Sequence, residues 1–184
     1  MEVAIDPAMP TYSGGLGVLA GDTIRAAADL AVPMVAVTLL YRKGYVKQSI
    51  STHGEQIEEA ECWNPEQLLS RCGATVEVPL RDRLVRVQAW KREEVGVTGH
   101  IVPIIFLDTD LIENAADDRR ITDSLYGGDH QLRVLQELVL GIGGIRMLTA
   151  LGDPQTMVYH STEGHAAFLL LDLVAADWAT HGVD

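Results

Sequence analysis

Apolar residues recur at helical spacing over residues 15–31, and they form nearly continuous runs over residues 32–41 and 100–110. Helical spacing is typical of a helix with one buried face, whereas the continuous runs are typical of strands buried on both faces of a parallel sheet. Helical spacing returns over residues 130–151 and after residue 162. Because strands alternate with helices, the pattern predicts an α/β, Rossmann-like domain with a mainly parallel sheet.

Period-two alternation marks the other predicted strands. It is clearest in "ATVEVPL" and "RLVRVQAW", which flank a short turn and predict an inserted antiparallel β-hairpin with one wet face. Shorter strands are predicted at "YVKQSI" and at "QTMVYHS". The polar segment 51–71 predicts a loop with a short helix near residues 65–70, and residues 113–128 predict a second polar loop.

Composition restricts the class of protein. The chain has 184 residues, is 47% hydrophobic and 22% charged, and carries a formal net charge of −12. These values predict one globular α/β domain over residues 1–184, and they argue against a nucleic-acid or anionic membrane surface. Cys62 and Cys72 show no pairing pattern and indicate free thiols in a reducing compartment. With no apolar run of membrane-spanning length and no basic leader, we expect a cytoplasmic protein.

The stretch "TYSGGLGVLAGD" places Gly14, Gly15 and Gly17 at the mouth of the first helix. Glycine costs a helix about 0.5–1 kcal/mol relative to alanine, so some other requirement keeps this backbone bare. An anion held by the unpaired N–H groups of the helix terminus is one explanation, and tight strand–helix packing is the other. A dinucleotide fingerprint is disfavoured because the following strand ends in "TLLYRKG", without the acid that binds ribose, and no phosphate-loop motif occurs.

Two further stretches carry candidate chemistry. In "YHSTEGHAAF", Glu163 and His165 follow a predicted strand, where open α/β sheets place ligands, although a helix capped by Ser161 or Thr162 is the plainer interpretation. In "LYGGDHQLRVLQELVLGIGGIRML", Asp129 fits the N-cap of the long helix. Arg133 lies four residues before a glutamate and is placed to pair with it at the surface. Gly141 and Gly144 share a helix face and predict a close backbone neighbour.

Together, "PTYSGGLGVLAGD", "VPMVAVTLLYRKGY", the LYGGD helix and "EGHAAF" resemble the α-glucan (glycogen and maltodextrin) phosphorylases. The resemblance implies the N-terminal half of a twin-Rossmann, GT-B type glycosyltransferase. Such an enzyme uses orthophosphate to cleave a terminal α-1,4-linked glucose from a glucan, releasing glucose 1-phosphate, with pyridoxal phosphate as cofactor. Partners would be the glucan, orthophosphate or glucose 1-phosphate and the C-terminal half of the enzyme, with homo-oligomers possible and no metal, nucleic acid or membrane expected.

The resemblance also assigns roles to residues. The backbone of Gly14, Gly15, Leu16 and Gly17 would cradle the substrate phosphate and glucosyl unit, and Glu2 would support that loop. Asp129 would lie in a gate loop beside the catalytic pocket, with Arg133 on the helix that follows. Glu163 and His165 would line the glucose pocket.

The lysine that bonds pyridoxal phosphate belongs to the family's second domain, and Lys43, Lys47 and Lys91 stand in contexts unlike that site. We therefore expect an incomplete N-terminal phosphorylase domain that lacks the C-terminal cofactor domain and is inactive alone. Two alternatives stay open: a non-catalytic module that binds an anionic sugar or glucan, and a synthase-type relative that uses a nucleotide sugar. Scattered tryptophans give no evident stacking platform for glucan, and the LYGGD helix argues against the synthase.

Overall fold

The structure, a computed structural model, describes residues 1–59, 61–152 and 158–181. Its helices are α1 (Gly15–Asp29), α2 (His130–Leu138), α3 (Gly144–Ala150) and α4 (Leu169–His181). Its strands are β1 (Ala36–Leu39), β2 (Lys47–Ile50), β3 (Gln56–Glu59), β4 (Ser70–Leu80), β5 (Arg83–Val95) and β6 (Ile101–Asp108). The α/β class predicted from the sequence is confirmed.

The main sheet is mixed and has the strand order β1-β6-β5-β4. Only β1 and β6 run parallel, and the β4–β5 and β5–β6 pairs are antiparallel. The prediction of a mainly parallel sheet is therefore wrong for the described residues. The reason lies in connection length: Val95 and Ile101 are joined by a tight turn, which can connect only antiparallel neighbours, whereas a parallel pair needs a long crossover.

The predicted hairpin is confirmed, but it is not peripheral. Its strands β4 and β5 form half of the main sheet, with Val76 opposite Val87 and Val78 opposite Val85. The β4 strand keeps the expected wet face, because its exposed and less exposed residues alternate. The middle of β5, residues 87–90, is buried on both faces, because Val87 and Ala89 pack in one apolar cluster and Trp90 in another.

Apolar side chains pack on both faces of the sheet. Along β6, Ile104 and Phe106 join a cluster that includes Ile24 and Ala28 of α1, while Ile105 and Leu107 join a second cluster on the side of α2 and α3. Successive strand residues point to opposite faces, so a strand covered by helices on both sides needs an unbroken apolar run. This is the physical meaning of the run at residues 100–110.

Two local predictions need correction. The segment 51–71 was expected to hold only a loop and a short helix; a single helical turn occurs at Pro65–Gln67, but β3 is also present and forms an exposed antiparallel ribbon with β2. The predicted strand "QTMVYHS" lies partly outside the described residues, and its described part, residues 158–161, is not a strand.

The predicted long helix is continuous but changes winding. A π-helical turn, Val139–Gly143, joins α2 to α3. A side chain added at Gly141 would lie 2.6 Å from the amide nitrogen of Leu169 and 2.7 Å from the carbonyl carbon of Phe168. The close backbone neighbour predicted from the glycines is therefore confirmed at Gly141, where it is the start of α4. At Gly144 the nearest atom is a side-chain methyl of Val37.

Candidate functional site

The glycine turn is organised by the carboxylate of Glu2. One carboxylate oxygen accepts hydrogen bonds from the backbone nitrogen of Ser13 at 2.5 Å and from its hydroxyl at 3.1 Å, and the other accepts from the Gly17 nitrogen at 3.1 Å. Residues 3 and 4 continue the contact, since Val3 bonds to the carbonyl of Thr11 and Ala4 to that of Gly17. Glu2 thus places a negative charge at the N-terminus of α1, where the helix dipole favours one.

This arrangement occupies only part of the helix terminus. Gly14 is extended, and α1 begins at Gly15. In the described part of the chain, no acceptor is hydrogen-bonded to the amide of Gly15 or Leu16, while the amide of Gly17 is held by Glu2. The first N–H groups of a helix have no partner within it. Two adjacent amides at the terminus of α1 are therefore available to an anionic ligand.

The glycines of this stretch serve two different purposes. A side chain added at Gly14 or Gly15 would meet nothing within 4 Å. At Gly17 it would lie 2.5 Å from the β-carbon of Tyr12, and at Gly21 it would collide with the carbonyl of Ala4. The packing explanation therefore holds for Gly17 and Gly21, and it fails for Gly14 and Gly15.

A cavity of about 220 Å³ opens beside the start of α2. Tyr126, Gly128, Asp129 and Arg133 line it. Asp129 is the N-cap predicted from the sequence: its carboxylate accepts a hydrogen bond from the amide of Leu132 at 2.9 Å. The carboxylate is thereby engaged with the backbone of its own helix, while the half-exposed guanidinium of Arg133 brings a positive charge to the cavity.

Arg133, Glu137 and His165 form one hydrogen-bonded cluster. The predicted pair of Arg133 and Glu137 is confirmed at 3.3 Å between the guanidinium Nε and the carboxylate Oε1. The same oxygen of Glu137 lies 2.8 Å from Nδ1 of His165. His165 belongs to a single helical turn, Gly164–Ala166, and neither Ser161 nor Thr162 caps that turn; the Ser161 hydroxyl bonds instead to the Glu163 carbonyl.

Tyr126 lies between the cavity beside α2 and the imidazole of His165. Its ring lies 6.5 Å from that of His165, centroid to centroid. Burial raises the pKa of the Tyr126 hydroxyl, and the negative charges of Glu2 and Glu163 raise it further, against the opposing charge of Arg133. Met1, the neighbour of Glu2, lines the cavity together with Tyr126, so the start of the chain lies beside this part of the site.

The backbone is strained at two of these positions. Tyr126 has φ 54°, and Glu163 has φ 63° with ψ −178°, a region that is otherwise occupied almost only by glycine. Each such conformation costs on the order of 1–3 kcal/mol and persists only where the surroundings enforce it. Positive φ alone does not mark a site, since Ala31 and Arg81 share it, but Tyr126 also lines the cavity beside α2.

Sequence reasoning missed Tyr126 and the second role of Glu137. Tyr126 belongs to the LYGGD motif but carried no separate signal, and Glu137 was predicted only as a surface partner of Arg133.

Among residues 1–59, 61–152 and 158–181, no group of three or more His, Cys, Asp or Glu side chains could hold a metal ion. Within the same residues, no helix has the length and apolarity needed to cross a membrane. Cys62 and Cys72 are both free.

Comparison with known proteins identifies relatives along the whole chain. The maltodextrin phosphorylase of Thermococcus litoralis is 44% identical over 183 residues, which cover 95% of this chain and 21% of that protein. The glycogen phosphorylase of Mycobacterium tuberculosis is 39% identical over 196 aligned residues, covering 100% of this chain and 22% of the relative. That of Aquifex aeolicus is 34% identical over 178 residues, 92% of this chain and 25% of the relative.

The chain is homologous to part of the glycogen and maltodextrin phosphorylases. It spans about a fifth to a quarter of the length of these phosphorylases. No protein-family model matches it. Because the mycobacterial phosphorylase aligns with the entire chain, the glycine turn, the cavity beside α2 and the Arg133–Glu137–His165 cluster all lie within the homologous region.

Proposed function

We propose that this chain is part of an α-glucan phosphorylase, a glycosyltransferase that transfers the terminal α-1,4-linked glucose of a glucan to orthophosphate and releases glucose 1-phosphate. The observation that carries the proposal is the sequence similarity to relatives named maltodextrin or glycogen phosphorylase. Their alignments cover between 92% and 100% of this chain. The geometry supports it, because the free amides of Gly15 and Leu16 and the guanidinium of Arg133 suit an anionic substrate.

We assign the substrate phosphate and the adjoining sugar oxygens to the backbone of Gly14, Gly15 and Leu16. Gly17 completes the turn, but its amide is held by Glu2, which makes Glu2 the residue that fixes the turn's shape. Asp129, Glu163 and His165 are assigned to the glucose side of the pocket. Their part in the reaction is to orient the sugar, since positioning of reacting groups supplies several kcal/mol of a barrier.

Pyridoxal phosphate, the cofactor expected from the family resemblance, does not fit a covalent attachment in this chain. A lysine that forms a Schiff base must lose its proton. Lys43 donates to Asp123 at 2.7 Å, and Lys91 donates to Glu93 at 2.6 Å. These hydrogen bonds and charges raise the pKa of both ammonium groups. Lys47, on β2, is part of an exposed ribbon. The cofactor therefore enters none of the steps assigned to these residues.

We place the chain in the N-terminal domain of a two-domain, GT-B type enzyme. The C-terminal domain would carry the cofactor and close the cleft over glucan and orthophosphate. Under this proposal the chain alone has half of a cleft and no phosphorolytic activity. A cytoplasmic location and assembly into homo-oligomers stay predictions from the sequence.

A non-catalytic glucan-binding module is not supported. Glucan-binding platforms use exposed aromatic faces, and two of the three tryptophans are engaged within the protein. Trp90 is buried and donates to Asp108, and the indole nitrogen of Trp63 donates to the Tyr41 carbonyl at 2.6 Å. Trp178 is exposed, but it lies on α4, beyond the single turn that carries His165.

A chimera tests the proposal. Residues 1–184 replace the homologous segment of the Thermococcus litoralis maltodextrin phosphorylase, and glucose 1-phosphate is measured with maltodextrin and orthophosphate as substrates. We expect turnover by the chimera and none by the chain alone. The matched control is the same chimera with Gly15→Val, which should keep its melting temperature within a few degrees and lose turnover. A folded chimera that lacks phosphorolysis would contradict the proposed function, and so would turnover by the chain alone.

A further inference from the structure

We propose that Glu137 is a positioning residue that holds His165 in one orientation and one tautomer, with Nδ1 protonated and the lone pair on Nε2. The proposal rests on the proposed function, in which His165 faces the sugar. It assigns to Glu137 a role beyond the surface ion pair that its spacing from Arg133 indicates.

The distances define the cluster. Oε1 of Glu137 lies 2.8 Å from Nδ1 of His165 and 3.3 Å from Nε of Arg133. Nη2 of Arg133 lies 3.3 Å from Nε2 of His165 and 3.4 Å from Nδ1. A carboxylate only accepts hydrogen bonds and a guanidinium only donates them. Nη2 is almost equally distant from the two ring nitrogens, so it does not lie along the in-plane lone pair of either one. Glu137 alone therefore makes a directional demand on the imidazole, for a donor at Nδ1.

This demand selects a single tautomer. Nδ1 must carry a hydrogen to donate to Glu137, which leaves the lone pair on Nε2. The opposite tautomer would set a lone pair against the carboxylate. A hydrogen bond to one ring nitrogen of histidine determines what the other can do, so the contact with Glu137 specifies both nitrogens.

Burial strengthens the hydrogen bond between Glu137 and His165. The side chains of His165 and Glu137 are only 12% and 18% exposed, while that of Arg133 is 51% exposed. A hydrogen bond that involves an ionised group and is shielded from water is stronger than its surface counterpart. The contact between Glu137 and His165 is therefore the fixed part of the cluster, and Arg133 is its adjustable part.

The helix is shaped to make this contact. Glu137 and Gly141 are four residues apart and share a face, and that face meets the segment that carries His165 and leads into α4. Bare backbone at Gly141 allows Phe168 and Leu169 to approach closely. The π-helical turn, Val139–Gly143, begins two residues after Glu137 and contains Gly141, and such turns occur often at functional sites. Packing at Gly141 thus brings His165 within reach of Glu137.

The test reads the imidazole directly. Nitrogen-15 correlation spectra of the chain identify which nitrogen of each histidine is protonated, and a His165→Gln sample assigns the signal. We expect His165 to show the tautomer protonated at Nδ1. Glu137→Ala should convert it to the opposite tautomer or to a mixture, and Glu137→Gln, which keeps an acceptor oxygen, should preserve it. Asp117→Asn removes another helical ion pair, with Arg120, and should leave the signal unchanged.

Glu137→Gln guards against a trivial loss of structure, because it keeps the shape and one acceptor of the native side chain. An unchanged His165 tautomer in Glu137→Ala, or loss of the Nδ1-protonated form in Glu137→Gln with its backbone spectrum intact, overturns the proposal. So does a wild-type His165 protonated at Nε2.

The same variants in the chimera separate this inference from the proposed function. Glu137→Ala should lower kcat/KM by on the order of tenfold to a hundredfold, and Glu137→Gln should restore most of it. An active chimera whose kcat/KM is unaffected by Glu137→Ala refutes the positioning role and leaves the proposed function standing. An inactive wild-type chimera refutes the proposed function, and the tautomer measurement still decides whether Glu137 positions His165.

Discussion

Gly15 and Gly17 stand two residues apart in one turn of helix, and replacing each by alanine should have opposite effects on stability. The β-carbon of Gly15→Ala would point into open space, with no atom within 4 Å. That of Gly17→Ala would lie 2.5 Å from the β-carbon of Tyr12 and 3.3 Å from the side chain of Glu2. The added methyl group therefore contacts nothing at residue 15 and overlaps its neighbours at residue 17.

The magnitudes follow from these contacts. Alanine in a helix is better than glycine by about 0.5–1 kcal/mol, so Gly15→Ala should stabilise the chain by up to that amount. Inserting a methyl group into a filled site costs about 1–3 kcal/mol, so Gly17→Ala should destabilise it. The two variants should differ by roughly 2 kcal/mol, which for a chain of this size is a difference of about 4–8 °C in melting temperature.

The assay is urea and thermal unfolding of the wild type and the two variants, followed by circular dichroism. In parallel, calorimetric titration of the Gly15→Val chimera with glucose 1-phosphate measures whether a side chain blocks the free amides. We expect Gly15→Val to abolish binding and turnover while folding changes by no more than about 1–3 kcal/mol. The reasoning would be refuted if Gly15→Ala destabilised the chain as much as Gly17→Ala, or if Gly15→Val, while folded, bound and turned over normally.

Other substitutions test the framework around the site. Arg42→Ala should lower the free energy of unfolding in urea by about 3–5 kcal/mol, because it leaves the buried carboxylate of Asp108 without its cation, and a loss below about 1 kcal/mol would contradict this. Burial alone would raise the pKa of Asp108, but the hydrogen bonds and charge of Arg42 outweigh it and hold the pKa below its ordinary value. The stability that this carboxylate contributes is therefore present above its unfolded pKa of about 3.9 and is lost as the pH falls through the lower folded value, which unfolding of wild type and Asp108→Asn between pH 2 and 6 should show. Glu2→Gln should cost about 1 kcal/mol in the same urea assay by weakening the bonds that hold the glycine turn, whereas no change would mean that the turn holds itself. Gly141→Val should lower the melting temperature by several degrees, since its side chain would overlap the backbone at Phe168, and an unchanged melting temperature would remove the basis for the close approach of α4.

Much of the fold could be predicted from the sequence because its signals are local. The boundaries of α1 and of the hairpin follow from periodicity and turn residues that lie within a few positions of one another. The direction of strand pairing is not a local property. A buried apolar run looks the same in a parallel pair and in the centre of a mixed sheet, so β5 and β6 gave no sign of their antiparallel pairing except the shortness of the connection between them.

Asp108 shows why an acid at the end of a strand is a weak indicator of function. Asp108 is the last residue of β6, and its carboxylate is fully buried. It accepts two hydrogen bonds from Arg42 and one each from Gln88 and Trp90. Arg42 follows β1, whereas Gln88 and Trp90 lie on β5, and nothing in the sequence shows that these two regions meet at one carboxylate. With all its acceptor sites engaged by the protein, Asp108 fixes the sheet rather than binding a substrate.

The glycine turn shows that residues of one motif can have different roles that the sequence does not reveal. Gly15 and Gly17 belong to one motif, both have ordinary helical backbone angles, and nothing in the sequence distinguishes them. Only the neighbours differ: Tyr12 and Glu2 crowd Gly17, while the space beside Gly15 is open. Selection for packing therefore accounts for Gly17 completely and gives no reason for Gly15. Under the proposed function the reason is a ligand that must reach the backbone: Gly15 stabilises neither the helix nor a contact, and its own amide and that of Leu16 are unpaired.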